Sequence, residues 1–233
     1  MNTFSTNAIP AGKVQQFLYL WMSMHDIGKS ISILKRDKRF ALLIKKHGIP
    51  NRAKRKNPFQ SLVRSIIYQQ VSGRAAATIL ARFIKLCPKG KFPTPKAVRD
   101  ILIEKMRGAG LSSQKASYIK DLAIKFSDGT IKHRSLHRMT NSEIVKHLTQ
   151  VKGIGVWTVH MFLIATMNRP DVLPTGDLGI RKGFQVVYQL KDLPSHEKME
   201  KFAAPWRAHA SLASWYLWRV ADETKSNKSG VKK

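Results

Sequence analysis

One cysteine, Cys87, is all the thiol chemistry this 233-residue sequence contains. A lone thiol forms no internal disulfide and holds neither a zinc nor an iron–sulfur site by itself. Acidic residues are scarce as well: 14 Asp and Glu stand against 42 Lys and Arg, a formal net charge of +28. Nothing reads as a secretory signal with a cleavage site. The longest early apolar run, FLYLWMSM from Phe17 to Met24, is far shorter than the roughly 20 residues a membrane-spanning helix needs. No membrane association is expected, and the location expected is cytoplasm or nucleoid in a bacterium and nucleus in a eukaryote. Sustained alternation of apolar and polar residues is missing, so no sheet is expected. So is any internal repeat of 20 to 50 residues.

What is present is a helical, strongly cationic chain with 43% hydrophobic residues, enough for one large domain or two small lobes. Self-repulsion at +28 opposes compaction and points to a polyanionic partner. Nucleic acid is the first candidate, because neutralised phosphates release counterions; an anionic membrane surface is the second.

Helix boundaries are written plainly. Asn57-Pro58 opens a helix whose Phe59, Leu62, Val63, Ile66 and Ile67 form one apolar stripe. A second follows Ser72-Gly73, with Ala76, Ile79, Leu80 and Phe83 on one face. Thr94-Pro95 starts a third, and SSQKASYIKDLAIKF carries Ala116, Ile119, Ala123 and Phe126. Thr140 and Glu143 make a capping box. Residues 51–57, NRAKRKN, read as a basic linker, and the tail TKSNKSGVKK is expected to fray.

The stretch TQVKGIGVWTVHMF, Thr149 to Phe162, interrupts one helix and restarts another at about Val156. Gly153 and Gly155 supply positive φ angles and close backbone approach, Ile154 is an apolar plug, and Lys152 adds charge at the rim. The N–H groups opening the second helix suit a phosphate oxygen. An ordinary helix–helix connection has the same pattern. Downstream, DVLPTGDLGIRKGF places Asp177 at the head of another helix. That acid is either an N-cap worth about 1 kcal/mol or a carboxylate facing a developing positive charge, and the two roles are compatible.

Five stretches in order, LVRSIIYQQVSGRAA, MRGAGLSSQKASYI, LTQVKGIGVWTVHMFL, DVLPTGDLGIRKGF and APWRAHASLASWYLWR, span roughly Ile33 to Asp222. Together they resemble the helix-hairpin-helix DNA glycosylases, and within them the 3-methyladenine DNA glycosylase II family. The resemblance implies an all-α, two-lobed fold with the active-site cleft between the lobes, in compact form without an N-terminal β-domain. It implies an extension of unassigned role at 1–30 and a glycosylase domain at 31–223. Within it, 58–174 is the middle lobe with its hairpin at 149–162, and 31–57 with 175–223 is the second lobe. A basic tail follows at 224–233.

The activity implied is removal of alkylated purines of the 3-methyladenine and 7-methylguanine type from damaged double-stranded DNA, by a monomer, with no cofactor and no catalytic metal. The family pattern makes Asp177 the catalytic acid and Gln70 the wedge, with Val71 and Ser72 on the minor-groove side. Trp157 and Trp215 match aromatic base-pocket positions, His160 and Met161 line the pocket or its edge, and Tyr68 belongs to pocket or core. Trp157 also occupies the position where strand-cutting members carry a lysine nucleophile, which implies base removal alone. A monovalent cation at residues 150–155 is compatible with the family hairpin. Trp21, Trp206 and Trp218 are assigned to core packing. The alternatives are a non-catalytic binder of lesions or abasic sites on the same fold, a glycosylase for another base, and a membrane-surface protein.

Overall fold

The computed structural model describes residues 24–50, 57–87 and 91–230, and all regular structure among them is helical. The linker residues 51–56 and residues 1–23, including Trp21, lie outside them. In chain order the helices are α1 (Met24–Leu34), α2 (Lys38–His47), α3 (Pro58–Tyr68), α4 (Gly73–Lys85), α5 (Pro95–Asp100) and α6 (Ile103–Gly108). Next come α7 (Ser113–Ser127), a 3₁₀ turn (His133–Arg138), α8 (Asn141–Leu148) and α9 (Val156–Ala165). Then follow α10 (Leu178–Val187), α11 (His196–Ala203), a second 3₁₀ segment (Ala204–His209) and α12 (Ala210–Gly230).

The chain divides into two compact units, Arg55–Met167 and a discontinuous one made of Met1–Lys54 with Asn168–Lys233. The second crossing therefore lies at 167/168 rather than the 174/175 drawn from sequence. The reason is local: Ser211 Oγ donates to the Arg169 carbonyl at 2.8 Å and accepts from the Val172 N–H at 2.9 Å. The Ser211 N–H also reaches the Pro170 carbonyl at 2.9 Å, so 169–172 is docked on the start of α12.

In the contiguous unit the helices other than α6 and α9 start where a side chain caps them. The Asn57 side chain accepts from the Gln60 N–H, Ser72 from Ala75, Thr94 from Ala97 and Ser112 from Lys115. The Thr140–Glu143 box closes in both directions. Each such cap is worth about 1 kcal/mol. Phe59, Leu62, Val63, Ile66 and Ile67 of α3 are all buried, as are Ala116, Ile119, Leu122, Ala123 and Phe126 of α7. Each large side chain contributes about 1.5–3 kcal/mol of burial. From Thr158 to Ala165, α9 is buried all round except at His160, which marks a central helix.

The discontinuous unit is built around α12 and an aromatic cluster of Phe40, Phe184, Tyr188, Phe202 and Trp206. Burial pushes the Tyr188 hydroxyl up to about 12. α10 lies unusually close to α12. A Cβ on Gly183 would collide with the Leu217 carbonyl, its carbon only 2.8 Å away. Two further boundaries move from the sequence reading. Residue 30 falls inside α1, whose Ile27, Ile31 and Leu34 are buried and whose Ser30 Oγ sits 2.9 Å from His209 Nδ1. The polar tail from Thr224, expected to fray, continues α12 to Gly230, since no helix-breaking residue intervenes.

Candidate functional site

The hairpin is a tight turn between α8 and α9, and its two glycines are not equivalent. Gly153 has φ +77°, the left-handed region that favours glycine, and an added Cβ would press into the ring of Tyr118, with Cγ at 2.6 Å. Gly155 has φ −92° and open space around it. The expectation that both supply positive φ holds for Gly153 only; Gly155 is an extended N-cap with no side chain. Its consequence is electrostatic. α9 begins without a side-chain cap and without an acid in its first turn, leaving the positive end of its dipole for an external anion. Ile154 is 3% exposed, and Lys152 is exposed.

A carboxylate and an ammonium of α7 brace this turn. Asp121 Oδ2 accepts from the Lys152 N–H at 2.8 Å and from Lys125 Nζ at 2.8 Å. Lys125 Nζ in turn donates to the Gln150 carbonyl at 2.6 Å, and Gln69 Nε2 to the Gly153 carbonyl at 2.9 Å. An ammonium and an amide thus compete with any monovalent cation for the carbonyls of 150–155.

The loop between α3 and α4 holds the wedge candidates. Gln70 is exposed and adopts φ +54°, a conformation uncommon for a residue that is neither Gly, Asn nor Asp. Val71 is half-buried, and the Ser72 hydroxyl is the cap of α4. Of the pocket candidates in this unit, Tyr68, Trp157 and His160 are half-buried, while Met161 is packed inside.

Asp177 belongs to the other unit, together with Trp215. It is 5% exposed and is the N-cap of α10. Burying a carboxylate is costly unless donors compensate it. Here the Ile180 N–H and the indole Nε1 of Trp218 both donate to Oδ1, each at 2.8 Å. Two donors arriving from a helix backbone and from α12 fix the plane of the carboxylate and hence the direction of Oδ2. The α10 dipole further favours negative charge at this end. Of the two readings of Asp177, these contacts show the N-cap, and the Trp218 donor anchors the same carboxylate from α12.

The sequence reading missed the residues that build this anchor. Trp218, assigned to core packing, is buried, yet its N–H is spent on Asp177. Gly179 makes room for it: a Cβ there would lie 2.8 Å from Trp218 Cδ1 and 3.0 Å from Asp177 Oδ1. Gly179 and Gly183, four apart, face α12 along one side of α10. That spacing inside a helix was the available signal. Trp215, one turn before Trp218, packs edge-on against Tyr216 with its ring under Arg219, 5.3 Å from the guanidinium carbon.

The family model described as HhH-GPD superfamily base excision DNA repair protein matches residues 63–208. Among curated proteins, DNA-3-methyladenine glycosylase 1 of Schizosaccharomyces pombe is 39% identical over 184 residues, 76% of this chain and 79% of that protein. Among solved structures, the S. pombe 3-methyladenine DNA glycosylase in complex with abasic DNA superposes with TM-score 0.72 and 36% identity, covering 83% of this chain and 97% of that one. A DNA-3-methyladenine glycosidase from Bacillus halodurans gives TM-score 0.73 at 29% identity, covering 95% and 93%.

Proposed function

This chain belongs to the HhH-GPD superfamily of base excision DNA repair proteins, and on that premise we propose that it excises alkylated purines from duplex DNA by hydrolysis, leaving an intact abasic strand. The observation that carries this reading is the Asp177 carboxylate, buried at the head of α10 and fixed by Trp218 and the Ile180 N–H. Cleavage of an N-glycosidic bond builds positive charge on the deoxyribose. A carboxylate held in advance stabilises that charge without reorganising at the moment of reaction. The bond is unreachable within the stack, so the base is first extruded at a cost of a few kcal/mol. Gln70, held exposed on its turn, is the residue to fill the gap. The uncapped α9 N-terminus, with Lys152 beside it, takes a backbone phosphate.

An alkylated purine of this type is cationic. Trp157, half-buried at the start of α9, attracts a cationic ring by up to about 2 kcal/mol when desolvated and stacks on it as well, with Tyr68, His160 and Met161 of the same unit shaping the pocket. The reaction exchanges a base for water and is redox-neutral, so no redox cofactor enters. Trp157 stands two residues after Gly155 and has no amine with which to form a Schiff base, which supports base removal without strand cleavage. The protein works as a monomer on this reading.

The test incubates purified protein with methylated duplex DNA and measures released bases and strand breaks. Released 3-methyladenine or 7-methylguanine, with breaks appearing only after alkali, is the expected result. Asp177→Asn should bind duplex and release almost nothing. Full activity in that variant refutes the assignment of the acid. Binding to abasic DNA by the wild type without any release leaves a non-catalytic binder instead.

A further inference from the structure

The Gln70 turn is bolted to the hairpin by Gln69 and to α7 by Lys115, two residues that touch no DNA on any reading given above. α3 ends at Tyr68, and its last carbonyls lack helical partners. Lys115, from the first turn of α7, donates its ammonium to the carbonyls of Ile67 at 2.8 Å and Gln69 at 2.6 Å. Gln69 uses its side-chain amide on the Gly153 carbonyl at 2.9 Å. On the same helix, one turn after Lys115, Tyr118 packs its ring against Gly153. At the far side of the turn Ser72 caps α4. Between these fixed points sits Gln70 at φ +54°. A residue with a Cβ persists in the left-handed region only where its surroundings over-determine it. Here the surroundings are named, and the strained residue is the one whose side chain is exposed.

We infer that Lys115 and Gln69 are positioning residues for base extrusion: they lock the 68–72 turn to the hairpin, so that a hairpin seated on a phosphate already aims Gln70. This rests on the reading of the protein as a base-extruding glycosylase. It adds that phosphate contact and wedge form one rigid piece, braced from α7, with neither able to adjust alone. Both brace residues spend their donors on backbone carbonyls, so on this inference their loss acts on extrusion and not on the bond-breaking step.

The experiment measures single-turnover release of 7-methylguanine from two duplexes, one pairing it with cytosine and one placing it opposite an abasic site, where extrusion costs less. Lys115→Met keeps the aliphatic stem and removes the donors. It should slow release from the paired duplex by about tenfold or more, the factor carried by one charge-assisted hydrogen bond. Release opposite the abasic site should fall by less than about threefold if the loss is confined to extrusion. Binding to undamaged duplex should stay close to wild type, and Lys115→Arg should restore most of the loss. Gln69→Glu, which loses the donor to Gly153, should show the same split and stands in if Lys115→Met does not fold. Equal slowing on both duplexes, or none on either, overturns the inference and leaves the glycosylase reading standing. No release from either duplex by the wild type overturns that reading, and the inference with it.

Discussion

Replacing Gly153 by Ala should do far more harm than replacing Gly155, although the two look alike in sequence. At Gly153 an alanine must hold φ +77°, a left-handed conformation that costs an L-residue roughly 1–2 kcal/mol. Its methyl must also enter the space of the Tyr118 ring, where Cγ lies 2.6 Å from the ideal Cβ. Overpacking of this kind costs about 1–3 kcal/mol. The total is about 2–5 kcal/mol, a large part of the stability of a domain. At Gly155 the backbone is extended and the space is open, so Ala loses only the better N-cap, about 1 kcal/mol or less. Urea unfolding at constant slope reads the difference directly. Adding Tyr118→Leu to Gly153→Ala should recover the packing part and leave the backbone part. Equal midpoints for the two alanine variants would refute the reasoning. The same asymmetry makes Gly155→Asp a clean probe. Its carboxylate sits where the α9 dipole welcomes it, so the protein folds, yet it should weaken binding to every duplex alike, damaged or not.

Two other perturbations bear on the acid. Trp218→Phe keeps the aromatic disc and deletes one of the two donors to Asp177 Oδ1. It should cost about 1.5–3 kcal/mol of stability and lower base release with duplex binding retained; unchanged release would show that Ile180 alone suffices. Gly183→Ala meets the Leu217 backbone, which cannot swing aside as a side chain can, so α10 and α12 must separate. A loss of about 1–3 kcal/mol or more in urea is expected, together with reduced release, and a wild-type midpoint would contradict the close approach.

The local grammar of this chain is easy to read. Asn57-Pro58, Ser72, Thr94-Pro95, Ser112, the Thr140–Glu143 box and Asp177 each start a helix where the residue type says they should. Those signals are legible because the groups that satisfy each other lie three residues apart. The stripes of α3 and α7 are legible for the same reason. What stays hidden depends on distant partners. Lys115 reaches carbonyls 46 and 48 residues away, and Trp218 meets an acid 41 residues upstream. No periodicity encodes such pairs. α1 escaped because its stripe is only Ile27, Ile31 and Leu34, diluted by Gly28, Ser30 and Ser32. The crossing at 167/168 escaped because hydroxyl bonds from Ser211, far downstream, decide it.

The discontinuous unit has a consequence during synthesis. Arg55–Met167 is contiguous, and every residue it needs has left the ribosome once Met167 has emerged. The unit holding Asp177 must wait for α12, because Trp218 follows that acid by 41 residues. A nascent or truncated chain stopping before Ala210 would thus carry the hairpin and the Gln70 turn while Asp177 kept its helix cap but lacked the Trp218 donor.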